Sequence, residues 1–101
     1  METLEFNFSA KRKPKRRAHV GIVGSGDLEV LLTPNAEMSA SVKIRTSVPG
    51  FSAQWQAVLK KFFAKYDGAV KIEINDSGAT PGIVALRLAQ AVEASEDGCN
   101  S

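Results

Sequence analysis

The stretch Val20-Gly21-Ile22-Val23-Gly24-Ser25-Gly26-Asp27-Leu28-Glu29-Val30-Leu31-Leu32 decides how this chain is read. Two apolar runs flank Gly24-Ser25-Gly26-Asp27, and Gly or Asp in a short loop between such runs signals a β-hairpin. With Gly24 facing Asp27, Val23 would pair with Leu28 and Gly21 with Val30. That register puts Leu28, Val30 and Leu32 on one face and Glu29 on the other. Ser25 at the tip projects its hydroxyl into solvent, where another protein can reach and modify it. Serine also favours turns for purely local hydrogen-bonding reasons, so the turn alone does not choose between the two roles.

Outward from the hairpin, the periodicities alternate between two and 3.6 residues. Leu4, Phe6 and Phe8 alternate with Glu5 and Asn7, the pattern of a half-buried strand. Lys11–Arg17 follows as an exposed connection, since burying six cations and a proline is unfavourable. Thr33-Pro34-Asn35-Ala36 is a turn, and a fourth strand over 40–46 turns Val42 and Ile44 inward and Lys43 and Arg45 outward. Phe51, Trp55, Val58, Leu59, Phe62, Phe63 and Tyr66 form the apolar stripe of a helix. Ser52 is its expected N-cap, Lys65 falls in its last turn, and Gly68 is placed to end it. A fifth strand buries Val70, Ile72 and Ile74. Thr80 then caps a second helix with Pro81 at its first position and Val84, Leu88, Ala91 and Val92 on its buried side.

The order β-β-β-β-α-β-α predicts an α+β fold, a two-layer sandwich in which two helices cover one face of a mostly antiparallel sheet. A chain of 101 residues makes one domain with little room for an internal catalytic cleft. The domain is expected over 1–94, with an exposed basic loop at 11–17 and a flexible tail at 95–101. Net charge is only +2, yet six of the thirteen basic residues lie between Lys11 and Arg17. The one cysteine, Cys99, fits a reducing compartment. Glu2 and Glu5 interrupt any leader-like apolar run, and no stretch approaches a membrane span in length. A cytoplasmic protein without a membrane partner is expected.

The residues of an independent enzyme are missing. The sole histidine, His19, lies six residues before Ser25 along a strand, or roughly 20 Å away at about 3.3 Å per residue. A base must come within about 3 Å of the proton it takes. The residues two away from Ser25 are Val23 and Asp27, so the G-x-S-x-G elbow is absent. No Cys/His cluster has metal-ligand spacing, and the glycine turn leads into a strand rather than a phosphate-binding helix. The chain reads as non-catalytic.

Three groups keep two readings each. Asp27 is an Asx-type turn residue, or a contact for a modifying enzyme or a metal-assisted incoming group. Gly78 and Thr80 belong to a strand-to-helix connection, or to a helix N-terminus that holds an anion. Lys11, Arg12, Lys15 and Arg16 are a solvated loop, or a contact for acidic partner surfaces or a polyphosphate. A nucleic-acid module is disfavoured because no aromatic residue is interleaved with the cations.

The run Gly21-Ile22-Val23-Gly24-Ser25-Gly26-Asp27-Leu28-Glu29-Val30-Leu31 resembles the acyl carrier, or delta, subunit of malonate decarboxylase. Asp76-Ser77-Gly78-Ala79-Thr80-Pro81-Gly82 is similar to that family's other recurrent segment, and Arg45-Thr46-Ser47 fits between them. The resemblance implies that Ser25, held by Gly24, Gly26 and Asp27, carries phosphoribosyl-dephospho-coenzyme A through a phosphodiester. The implied donor is 2′-(5″-triphosphoribosyl)-3′-dephospho-CoA. The arm's thiol would hold acetyl and malonyl thioesters while malonate is decarboxylated. Implied partners are the acetyl-S-carrier:malonate carrier transferase subunit, the malonyl-S-carrier decarboxylase subunits, malonyl transacylase and the prosthetic-group transferase. The citrate lyase carrier subunit is the nearest alternative, and a structural subunit that is never modified is another. Helical-bundle carriers differ, because their modified serine starts a helix.

Overall fold

The computed structural model describes residues 1–96. Its elements run β1 (Glu2–Ser9), β2 (Ala18–Gly21), β3 (Asp27–Pro34), β4 (Ser39–Thr46), α1 (Ser52–Phe63), β5 (Val70–Ser77) and α2 (Pro81–Glu96). One five-stranded sheet has the order β1-β4-β5-β3-β2. All neighbours are antiparallel except β4 and β5. A parallel pair needs a long crossover, and α1 supplies it. The expected element order and two-layer α+β class are both present. Among the described residues no helix is long and apolar enough to cross a membrane.

Alternation within the strands builds the core. Leu28, Val30 and Leu32 of β3, Val42 and Ile44 of β4, and Ile72 and Ile74 of β5 are all buried. Against them pack Trp55 and Leu59 of α1 and Val84, Leu88 and Ala91 of α2. Each such aliphatic side chain removed from water contributes about 1.5–3 kcal/mol. Phe8 of the edge strand β1 stacks on Phe63 with ring centroids 4.4 Å apart, tying the end of α1 to the sheet.

Several details depart from the sequence reading, among them Thr33 and Pro34, which belong to β3 and pair with Lys71 and Val70 rather than forming a turn. The hairpin register is shifted by one: Gly21 pairs with Glu29 and Val20 with Val30. Gly21 has φ +79, and a Cβ there would collide with the Leu28 carbonyl. This close approach ends pairing early, while Val20 and Ala18 take the core side opposite Val30 and Leu32. Ile22 and Val23 leave the ladder and are 68% and 59% exposed. The Gly24–Asp27 turn itself is real, closed by Asp27 N–H donating to Gly24 O at 2.9 Å.

Ser52 is the first helical residue of α1, not its cap; Phe51 occupies the cap position and makes no side-chain capping bond. At the other end the helix stops at Phe63 with Lys60 and Lys61 in its last turn, so neither Lys65 nor Gly68 terminates it. Gly68 is needed for space, because a Cβ would strike the Tyr66 hydroxyl.

The six cations of the basic segment are exposed as expected, but its backbone is pinned. Lys11 and Arg12 N–H donate to Asp67 O at 2.8 and 3.3 Å, and Lys15 and Arg16 N–H donate to Ser95 O, both at 3.1 Å. Pro14 is buried. Arg12 Nε reaches Asp67 at 2.7 Å and Nη1 reaches Glu96 at 2.6 Å, with the guanidinium 5.6 Å from the Tyr66 ring centroid.

Those same bonds explain why α2 continues to Glu96, past the expected boundary at 94, with Ser95 buried. The rest of the expected flexible tail, including Cys99, lies outside the described residues.

Candidate functional site

Strand register brings three distant segments to one end of the sheet. Asp27 pairs with Ser77, and Thr46 pairs with Asp76. The Ser25 turn, the Thr46-Ser47 exit of β4 and the Asp76–Pro81 connection are therefore neighbours.

Ser25 is exposed on this end, in a turn held from both flanks. Gly26 has φ +76 and occupies the third position of the turn, a backbone shape that glycine adopts without strain. Its N–H donates to Ser77 O at 2.8 Å, which fastens the turn to β5. On the other flank Asp27 Oδ1 accepts from Leu28 N at 2.7 Å and from Arg87 Nε at 3.1 Å, while Oδ2 accepts from Arg87 Nη2 at 2.7 Å. Hydrogen bonds from Arg87 and then from Leu28 hold the Asp27 carboxyl below its ordinary range. Space around the serine is open: a Cβ at Gly26 would meet nothing within 4 Å, and at Gly24 only the Ile22 side chain.

The Asp76–Pro81 connection is organised by one buried carboxylate. Asp76 Oδ2 accepts from Thr46 Oγ1 at 2.8 Å and Gly78 N at 3.2 Å, and Oδ1 accepts from Ala79 N at 3.0 Å. Gly78 takes φ +86 to make the bend. Thr80 caps α2 as expected, its Oγ1 accepting from Ile83 N at 3.3 Å.

The other singled-out residues lie elsewhere. His19 bonds Glu29 at 2.8 Å, and Glu29 also accepts from Asn75 at 2.9 Å; this group sits on the polar face. Lys11, Arg12, Lys15 and Arg16 lie at the end of the sheet opposite Ser25, beside Asp67–Ala69 and the end of α2. Ser25, Gly24, Gly26, Asp27, Gly78 and Thr80 are thus brought together, and the four cations are not. Sequence reading missed Arg87 and the bonding role of Asp76. Arg87 was hidden by its place beside the apolar stripe, next to Leu88, where a cation reads as a solvated helix flank.

The family described as malonate decarboxylase delta subunit (MdcD) matches residues 15–95. The chain belongs to this family. Among similar delta-subunit relatives is the malonate decarboxylase acyl carrier protein of Pseudomonas savastanoi pv. phaseolicola, 50% identical over 94 residues that cover 92% of this chain and 95% of the relative. That of Azotobacter vinelandii is 47% identical over the same shares. The fold is similar to a chain in a crystal structure of a Pseudomonas malonate decarboxylase hetero-tetramer in complex with malonate. There the TM-score is 0.88 at 48% identity, covering 92% of this chain and 97% of that one. The family match takes in the Ser25 turn, Arg87 and the Asp76–Pro81 connection, but begins after Pro14.

Proposed function

We propose that this delta-subunit family member is the non-catalytic acyl carrier of a cytoplasmic malonate decarboxylase complex, with Ser25 Oγ as the attachment atom for phosphoribosyl-dephospho-coenzyme A. The observation that carries the reading is the exposed Ser25 on a turn fixed by Ser77 and Arg87, with open space beside it. A bulky group fits there without displacing the core.

In the attachment step, Ser25 Oγ forms a bond to the ribose-linked phosphorus of the triphosphoribosyl donor. The phosphoanhydride bond breaks and pyrophosphate leaves. The Ser25 proton passes to a base of the prosthetic-group transferase, since His19 is engaged with Glu29 on the polar face. When bound, the group supplies a thiol that holds acetyl or malonyl as a thioester. This chain's part is to hold the attachment point rigidly while the arm visits the carrier transferase, the decarboxylase subunits and the malonyl transacylase. Malonate leaves the cycle as acetate and CO2.

Intact-mass measurement after co-expression with the modifying enzymes tests the proposal. A mass increase matching the phosphoribosyl-dephospho-CoA moiety is expected on the wild type and not on Ser25→Ala. An unmodified wild type, or a fully modified Ser25→Ala, would overturn it.

A further inference from the structure

At the end of the sheet that carries the Ser25 turn, a groove of about 280 Å³ opens between the first turns of α1 and α2, lined by no residue of the turn itself. Phe51, Gln54 and Trp55 line it from α1, and Gly78, Ala79 and Pro81 from the β5–α2 connection. Its walls are mostly apolar, and two aromatic rings are among them. Phe51, one of the lining residues, is 45% exposed.

Trp55 is only 7% exposed and lines the groove. Tyr66 Oη is the one sealed-off side-chain polar atom without a partner among the described residues, so the indole nitrogen keeps access to solvent. A solvent-accessible indole N–H in the groove can donate to an acceptor on a ligand. Gln54 adds an amide that can both donate and accept. Asp76 also lines the groove, its carboxylate already bonded to Thr46 Oγ1, Gly78 N and Ala79 N.

Resting on the reading of Ser25 as an attachment site, we propose that this groove holds the adenine ring of the arm joined to Ser25. The chemistry matches part by part. A planar purine stacks on aromatic rings, its ring nitrogens accept from an indole N–H, and its edge pairs with an amide. Proximity is given by the backbone: Gly26 N–H bonds Ser77 O at 2.8 Å, and Gly78 and Ala79 follow Ser77 directly. Tethering at such range supplies an effective concentration near millimolar, so weak intrinsic affinity is enough. Parking the nucleotide here fixes the near end of the arm and leaves its thiol end to move.

Trp55 is the only tryptophan in the chain and reports on the groove directly. Titrating unmodified protein with 3′-dephospho-CoA should give saturable quenching of its fluorescence, and adenosine alone should do the same more weakly. Phe51→Ala should weaken the apparent affinity about tenfold, as expected for loss of one stacking partner. Protein modified on Ser25, verified by intact mass, should already be quenched and insensitive to added nucleotide.

Modified protein whose Trp55 emission equals that of the unmodified form would overturn the groove assignment while leaving Ser25 as the attachment site. Failure to modify Ser25 would remove the functional reading, and the titration with free nucleotide would still decide the groove. A response to S-acetylpantetheine but not to adenosine would overturn the proposal in favour of the acyl end. A response only to added partner subunits would overturn it in favour of a protein contact.

Discussion

Arg87 of α2 grips Asp27 at the edge of the Ser25 turn with two parallel hydrogen bonds, Nη2 to Oδ2 at 2.7 Å and Nε to Oδ1 at 3.1 Å. Forked guanidinium–carboxylate contacts fix orientation as well as distance, and Arg87 Nη1 is itself bonded to Gln90 at 3.0 Å. The turn is thereby referenced to a helix across the fold. Arg87→Ala should leave the sheet intact, since Arg87 is not part of the apolar core. Hydrogen exchange at the Gly26 and Asp27 amides should quicken, and covalent modification of Ser25 should slow. Exchange and modification rates equal to wild type would show that Arg87 does not hold the turn.

The same contact makes part of the stability acid-sensitive. Hydrogen bonds from Arg87 first and Leu28 N second hold the Asp27 carboxyl below its ordinary value of 3.8. A group with a depressed folded value stabilises the fold above its unfolded value and loses that contribution as pH falls through the folded one. The effect of Asp27 is thus present at neutral pH and disappears below 3.8. Urea midpoints for wild type and Asp27→Asn should differ at neutral pH and converge in acid. Parallel curves across that range would assign the acid sensitivity to other carboxylates.

Gly26→Val should affect modification more than folding. The backbone there has φ +76, which a β-branched residue adopts only with strain, although the added side chain would meet no neighbour. The cost is therefore confined to the turn, of order 1–3 kcal/mol, and the turn is expected to rearrange with loss of the Gly26–Ser77 bond. Unchanged transferase kinetics would show that recognition ignores the turn's shape.

The basic segment should divide into two classes. Arg12 bonds Asp67 and Glu96 and lies over Tyr66, so Arg12→Gln should cost about 1 kcal/mol of stability. Lys11, Lys15 and Arg16 form no ion pair among the described residues. Replacing these three with glutamine should change stability by no more than about 0.5 kcal/mol. Association with partner subunits should slow at low salt, and the deficit should shrink as salt rises. Equal association rates at low salt would leave these three as solubilising charges only.

What was legible in the sequence was what repeats locally. The period-two runs in β3, β4 and β5 and the stripe from Trp55 to Tyr66 named most of the core, and Thr80-Pro81 marked the start of α2. Contacts between residues far apart in the chain were not legible. Arg12 meets Asp67 and Glu96 across separations of 55 and 84 residues, and Arg87 meets Asp27 across 60. Composition makes such cations look solvated. The hairpin register failed for a different reason: it turns on a steric approach between Gly21 and the Leu28 carbonyl, which leaves no trace in hydropathy.

The last strand to be synthesised, β5, is the central one, and it alone joins β4 to β3. A nascent chain that ends before Val70 holds only two separate pieces, the β1·β4 ladder and the β2·β3 hairpin. Neither supplies Ser77, whose carbonyl anchors Gly26, nor Arg87, which anchors Asp27. The shape of the Ser25 turn is thus completed only when the ribosome has passed both. Any enzyme that recognises that shape rejects incomplete chains without a separate inspection step.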